Sequence, residues 1–514
     1  ASFAAGEDAL TIMSYGDFAA VISCRKTASG VIDIPSTSGG VPVTIITDNA
    51  FLDCNAITQI NIPSSITEIG SHAFESCISL EKVVFAGKKC NIKSAAFSHC
   101  SSLAEIELPE ELIEIPKHAF AYCTGLKNIT IPETVKIIGE EAFRVCSDIT
   151  QFNIPASVNV IRKNAFLGCS SVTNYTVASG NSVYSSIDGV IYGPYQSSHD
   201  KSISSPITDR ALIQYPIGNE AASYSVKPGT VIISDCAFGG NKYITSVVLP
   251  SGLKKIDSYA FNECTELSSV AIPSTVTEIG SLAFGKCSSL KSVRIPASVA
   301  SFDSAFYQAG LTSVVFENGI KAIDIKSFEG CKSLSSVSIP NTVETIALGA
   351  FYGCVSLGNL EIPSSVKAIG NGVFGECSAI NLIVEENSAA HVYADKNNIK
   401  YELKSGSEEP INPDEPTTKK TVVSVEIASI PEKTDYNYKD TVSTKGLSLN
   451  VYYSDNSKET ITSGFKISPE TCTERGFQKV TVEYEGFTDT FEINVTFSFL
   501  QWVIWILLLG FLWY

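Results

Sequence analysis

The chain has 514 residues, of which 44% are apolar and 18% charged, and its formal net charge is −17. That length exceeds one ordinary hydrophobic core and calls for several domains or a repeat array. The acidic balance argues against nucleic acid as a partner, because such binding rests on Lys and Arg neutralising phosphates. There are fifteen cysteines, an odd number, so complete pairing within one chain is excluded.

Ala1 stands first, and no charged and apolar leader precedes the first polar residues; the expectation is either an export signal already removed or a chain begun at this point. Residues 1–29 contain "LTIMSYGDFAAVISC", which is expected to form a hairpin that caps the element after it. From there the cysteines set the architecture. Cys54, Cys77, Cys100, Cys123, Cys146 and Cys169 are spaced 23 residues apart, as are Cys264 and Cys287, and again Cys331, Cys354 and Cys377. Three residues before each stands a phenylalanine: Phe51, Phe74, Phe97, Phe120, Phe143, Phe166, Phe261, Phe284, Phe328, Phe351 and Phe374. Phe238 and Phe306 keep the step, with Asn241 and Ala309 replacing the cysteine. A fixed period in this range marks a solenoid.

Each unit can be taken apart physically. An alternation such as Leu126, Ile129, Ile131 followed by Pro132 predicts a short strand with one buried face, which the proline ends. A segment such as "TVTEIGSLAF", Thr275 to Phe284, then places Val276 and Ile279 inward and turns at Gly280. One unit cannot bury its apolar face alone. Stacked units form a parallel sheet with strands about 4.8 Å apart.

The pattern L-x-x-I/V-x-I-P-x-x-V-x-x-I-G-x-x-A-F-x-x-C resembles the BspA-type leucine-rich repeats over roughly residues 30–403. The resemblance implies a mainly β fold, a curved leucine-rich repeat solenoid, on a bacterial surface protein that adheres to host proteins or to other cells. The period fails between Cys169 and Cys236, where a hairpin or loop insertion near 173–235 is expected, with a turn at Asp188-Gly189, a return strand through Leu212, Ile213 and Tyr215, and a loop from Gln196 to Asp209. Insertions of this kind lie on one face of a repeat array, often the binding face. Residues 388–403 predict a C-terminal cap with a short helix, capped by Ser388 and carrying Ala389, Val392 and Tyr393 as its apolar stripe.

Residues 404–420 form an acidic, Pro-containing linker. Residues 421–497 change to short alternating strands, with turn signals at Asp455-Asn456 and Glu485-Gly486, and predict a small β-sandwich. The stretch "PEKTDYNYKDTVSTKGLSLNVYYSDNSKETIT" resembles bacterial Ig-like domains of group 3, modules that act as spacers or stalks. Residues 498–514 are an apolar aromatic tail that holds all three tryptophans. As a helix, the stretch from Phe499 would span about 24 Å, short of the roughly 30 Å hydrocarbon core. Two expectations stay open there: a short membrane anchor, or an oligomer core built on Trp502, Trp505, Leu509 and Trp513.

Catalytic constellations are missing from the sequence. It holds no nucleophile elbow, no Walker loop, no His-Glu-x-x-His and no close Cys-x-x-Cys pair, so neither an enzyme nor a cofactor is expected. His72 and His118 share one slot of the repeat, which points to a surface position rather than a metal ligand. For the spaced cysteines, stacked equivalents put Cβ atoms about 4.8 Å apart, whereas a disulfide prefers about 3.8 Å. The thiols are therefore expected as a structural ladder: small apolar groups in a tight turn, each a weak donor to the backbone of the next rung. Cys24, Cys90, Cys236 and Cys472 fall outside the register and are expected to be exposed. Free thiols in an exported protein fit a reducing or anaerobic habitat.

A binding surface is expected on the outward face of the long sheet. Its candidates are Glu105 and Glu107, Asn128 and Thr130, Gln151 and Asn153, Asn174 and Thr176, Ser292 and Arg294, and Asn359 and Glu361. The expected partners are host extracellular or cell-surface proteins, or other cells. The alternative is a structural subunit of a surface layer or filament, self-assembled through the tail.

Overall fold

The structure is a computed structural model that describes residues 9–195, 210–404, 422–453, 457–472 and 476–496. The loop expected at Gln196–Asp209, most of the linker, the Asp455-Asn456 turn and the tail with Trp502, Trp505, Leu509 and Trp513 lie outside the described residues.

Residues 9–404 form a β-solenoid. The L-x-x-I-x-I segments pair in parallel from rung to rung: Gln59 is opposite Lys82, Lys82 opposite Glu105, Gln151 opposite Asn174 and Ser292 opposite Ser313. Inward residues such as Phe152 and Ile154 are buried, while Gln151 and Asn153 between them face out. A second parallel ladder runs through the T-x-E-I-G segments, with Glu114, Ile137 and Val160 in one row and Ile115, Ile138 and Ile161 in the next. From its sequence this segment is expected only to lead into the turn at the glycine. Two residues per rung are enough to make a strand only because identical neighbours lie above and below.

The A-F-x-x-C segment closes each rung. Its backbone bonds to the following rung, as Phe74 N does to the carbonyl of Ala96 at 2.8 Å and Ser76 N to that of Ser98 at 2.9 Å. The turn needs two left-handed residues, such as His72 at φ 57° and Ser76 at φ 59°. In other rungs glycine takes these slots, at Gly168, Gly349, Gly353 and Gly372. The phenylalanines stack along the axis, with centroids 5.2 Å apart for Phe74–Phe97 and 5.6 Å for both Phe97–Phe120 and Phe120–Phe143. Tyr215 occupies one more such slot, 4.6 Å from Phe238, which a search for phenylalanine alone overlooks.

Leu10–Ser14 and Ala19–Cys24 make an antiparallel hairpin over the first rung. In the insertion, Ser185–Ile187 and Val190–Pro194 pair around Asp188 and Gly189, both left-handed. Arg210–Gln214 joins Val190–Pro194 antiparallel and then passes into the second ladder beside Ile232–Ile233. The insertion thus divides the solenoid into two hydrophobic cores, Ala19 to Ile191 and Val190 to Ala394. At the far end, the Ser388 hydroxyl accepts from His391 N and caps the helix Ala389–Lys396. Ala390 and Ala394 are its buried residues and Tyr393 packs against the core beside Phe374, whereas Val392 is 60% exposed; this removes Val392 from the expected stripe of Ala389, Val392 and Tyr393, since the register is set by the alanines that approach the last rung closely.

Residues 422–496 fold into two sheets around a separate small core. One comprises Val422–Ser429, Ser448–Tyr453 and Lys458–Ile461; the other comprises Asp435–Asn437, Phe487–Thr496, Gly476–Tyr484 and Lys466–Ser468.

Candidate functional site

The long sheet presents the outward residues as rows. Glu105, Glu107, Asn128, Thr130, Gln151, Asn153, Thr176, Asn359 and Glu361 are exposed, and Asn174, Ser292 and Arg294 are half-buried. Bonds across rungs tie part of each row together. Lys82 pairs with Glu105, the Thr176 hydroxyl donates to Asn153 Oδ1, and Asn381 Nδ2 donates to Asn359 Oδ1. Lys404 Nζ lies 2.6 Å from Glu361 Oε1. Lys82, Asn381 and the donor Asn61, which bonds Asp33, belong to the same face; sequence reasoning passed over them, although they occupy the same strand slots. Lys82, Val84, Glu105, Glu107, Asn128 and Thr130 border a shallow groove of about 480 Å³. The face is mostly polar, with Val31, Val84 and Val248 exposed in outward slots. It can offer hydrogen bonds and ion pairs in a repeating row, a geometry suited to another surface rather than to an enclosed small molecule.

The row ends differently toward the C-terminus. Arg294 lies between Glu317, 2.6 Å away, and Glu426 of the sandwich, 3.4 Å away, with its guanidinium 3.3 Å from the Tyr452 ring centroid. Here the candidate Arg294 is part of an internal contact.

Elsewhere most charged side chains are paired, while Asn164 Oδ1 and Ser234 Oγ, at the cavity between the solenoid halves, are buried without a hydrogen-bond partner among the described residues. Between the two solenoid halves is a polar cavity of about 270 Å³. Its Lys163 pairs with Asp235, its Lys255 with Glu278, and the Tyr195 hydroxyl donates to Asp257. His72 lies 2.7 Å from Glu75, His118 lies 3.1 Å from Glu141, and among the described residues no cluster of His, Cys, Asp or Glu converges as a metal site.

All fifteen cysteines are unpaired and buried. From Cys77 onward, the Sγ of each ladder cysteine donates to the carbonyl of a rung phenylalanine at 3.0–3.3 Å, Cys77 to Phe51 and Cys123 to Phe97 among them. The acceptor belongs to the preceding rung, not the following one, because the turn directs the thiol back along the axis. Cys54, in the first rung, faces the Cys24 thiol and lies 3.9 Å from the carbonyls of Cys24 and Arg25. Asn241 substitutes with two arms: Nδ2 donates to Ile217 O, and Oδ1 accepts from Tyr243 N and Ile244 N. Burial pushes the thiols of Cys77, Cys169, Cys287 and Cys331 up to about 12. The expected exposure of Cys24, Cys90, Cys236 and Cys472 is corrected. Cys24 and Cys90 pack in the N-terminal core, Cys472 packs in the sandwich core, and Cys236 takes a left-handed turn slot with its thiol 3.0 Å from Asp235 Oδ1.

Fold and face together define a leucine-rich repeat β-solenoid that displays a polar sheet, a class typical of binding proteins. The chain matches the BspA type leucine rich repeat region in six copies, over residues 43–179, 220–305 and 302–395. It belongs to that family. A leucine rich cell surface protein from Faecalibacterium prausnitzii is 26% identical, with 76% of this chain and 96% of that one covered at a TM-score of 0.52. The pneumococcal vaccine antigen PcpA is 21% identical over 77% of this chain and 97% of that one, TM-score 0.55. A leucine-rich repeat protein from Eubacterium ventriosum is 20% identical over 70% and 90%, TM-score 0.50. These last two likenesses show the fold. No curated protein sequence matches the chain. The family match ends at residue 395, before the sandwich. Among the described residues, no helix is long and apolar enough to cross a membrane.

Proposed function

We propose that the chain is an exported bacterial surface protein that binds proteins or cell surfaces through the outward face of its long sheet, and that it is not an enzyme. The observation that carries the reading is the row from Glu105 to Thr176, in which every outward residue is polar and none is buried. Family membership supports a protein-binding role, and the Faecalibacterium prausnitzii relative is itself described as a cell surface protein. Host proteins or other cells are the ligands this reading assigns. On this reading the apolar tail beyond residue 497 holds the chain in a membrane or against its copies.

The test is capture of purified extracellular-matrix proteins and of intact cells by the immobilised full chain. Gln151→Arg together with Asn153→Arg places two long cations in the centre of the row. Binding should fall at least tenfold, about 1.4 kcal/mol. Unchanged capture by this double variant, or no capture by the parent protein, sinks the reading.

A further inference from the structure

We propose that the C-terminal sandwich is a built-in cover that docks on the same sheet face between Ser225 and Val315 and withdraws that stretch from ligand, leaving the row from Glu105 to Thr176 free. This rests on the reading that the face is the binding surface. Contacts come from three strands of the solenoid, Ser223–Ser225, Ser246–Val248 and Ser292–Ile295. The Ser225 hydroxyl donates to Glu492 Oε1 at 2.7 Å, and Lys479 Nζ donates to the Ser246 hydroxyl at 2.9 Å. Arg294 makes the third, held by Glu426 and by the Tyr452 ring.

The solenoid side of this contact carries a mark independent of those bonds. Val315 stands opposite Arg294 in the parallel register, so its side chain points away from the solenoid core. It is nevertheless only 8% exposed. Val84, in the equivalent outward slot of the N-terminal half, is 37% exposed. Tyr452, Tyr453 and Lys458 lie around the same depression as Val315. On the sandwich side, burial holds the Lys479 ammonium below its usual range, as expected for a cation removed from water at a contact. The sandwich contributes Glu426 and Tyr452 from one sheet and Lys479 and Glu492 from the other, so it meets the solenoid along a side where both sheets are presented.

Arg294 makes two of the four named contacts, to Glu426 and to the Tyr452 ring. An arginine stacked on an aromatic ring between two carboxylates is both a cation–π partner and an ion-pair partner. Reversing its charge leaves Glu317 and Glu426 facing a third anion.

The experiment is small-angle scattering of the full chain in low salt, with hydroxyl-radical footprinting of Val315, on the parent protein and on Arg294→Glu, Glu426→Arg and the double charge swap. The parent should scatter as the docked particle. Each single reversal should lengthen the largest dimension by about 20 Å, the reach of a flexible tether as long as the linker, and should raise Val315 oxidation several-fold; the double swap should restore both. The two single changes lie on different domains, so a folding defect in one domain cannot imitate the pattern. Overturning results are a parent already as long as its variants, no change on reversal, or a parent of twice the chain mass, which would place the contact between chains. No ligand enters these measurements, so their failure is separate from failure of the binding reading. If Arg294→Glu opens the particle but Val315 stays protected, the cover is overturned as well.

Discussion

At Cys77, two surroundings fix the chemistry of the thiol. The Sγ atom donates to the Phe51 carbonyl at 3.1 Å, and the residue is 1% exposed. Phe51 O also accepts from Cys54 N at 3.0 Å, so the thiol adds a second, weaker bond to an oxygen already satisfied. A buried thiol held as a donor is a poor nucleophile, because the thiolate is the reactive form. Iodoacetamide at neutral pH should therefore leave the spaced cysteines unmodified in the native protein and label them after denaturation; peptide mass spectrometry reads the difference, and native labelling at Cys77 would contradict the assignment. The same burial makes stability depend on alkali. The folded values for Cys77, Cys169, Cys287 and Cys331 are raised to about 12 from an ordinary value near 9, so the fold favours the protonated thiol. That contribution is complete below about pH 9 and is lost as pH rises toward 12. Each thiol removes up to about 1.4 kcal/mol per pH unit in that window. Urea unfolding at pH 7.5 and 10.5 should give a clearly lower midpoint at the higher pH. Equal midpoints would refute the linkage.

A rung is the element that repeats, and its stability is mostly contact with its neighbours. Phe120 is fully buried, with stacked rings 5.6 Å away on both sides. Truncation to alanine opens a cavity that neither neighbour can fill without leaving its own slot. Phe120→Ala should cost about 3–5 kcal/mol, measured by denaturant unfolding. A loss below 1 kcal/mol would mean that the stack is not the principal link between rungs. The second ladder shows why elements this short hold: Ile115, Ile138 and Ile161 line up because each rung positions the next, although no single T-x-E-I-G segment has the length of an ordinary strand.

For the whole molecule, the insertion matters most; it is shorter than the expected 173–235, because Asn174–Val177 still pairs with the preceding rung and the repeat resumes at Tyr215. It separates the solenoid into two cores, and the sandwich adds a third. The phenylalanine stack runs unbroken from Phe51 to Phe166 and resumes at Tyr215. Calorimetry should therefore resolve more than one transition, and Phe120→Ala should lower the one belonging to the N-terminal core while leaving the C-terminal core's in place. A single transition that moves as a unit would show that the insertion couples the halves.

The sequence by itself determined the period, the inward apolar set, the fold class and the outward identity of Gln151, Asn153 and their equivalents. Each of these follows from spacing, because residues in one slot of a repeat share one environment. It could not show the direction of the thiol bonds, since a slot does not reveal which way a turn points its side chain. Nor could it show that Cys24, Cys90, Cys236 and Cys472 are buried: each lies outside the shared cysteine slot, in a hairpin, a rung edge, a rung turn or a sandwich. Only the tertiary structure decided that Arg294, one of the outward row, meets Glu426 and Tyr452 from a domain 132 residues further along the chain. Periodicity reports contacts between neighbouring rungs. A contact between the array and a non-repeating domain leaves no period to find.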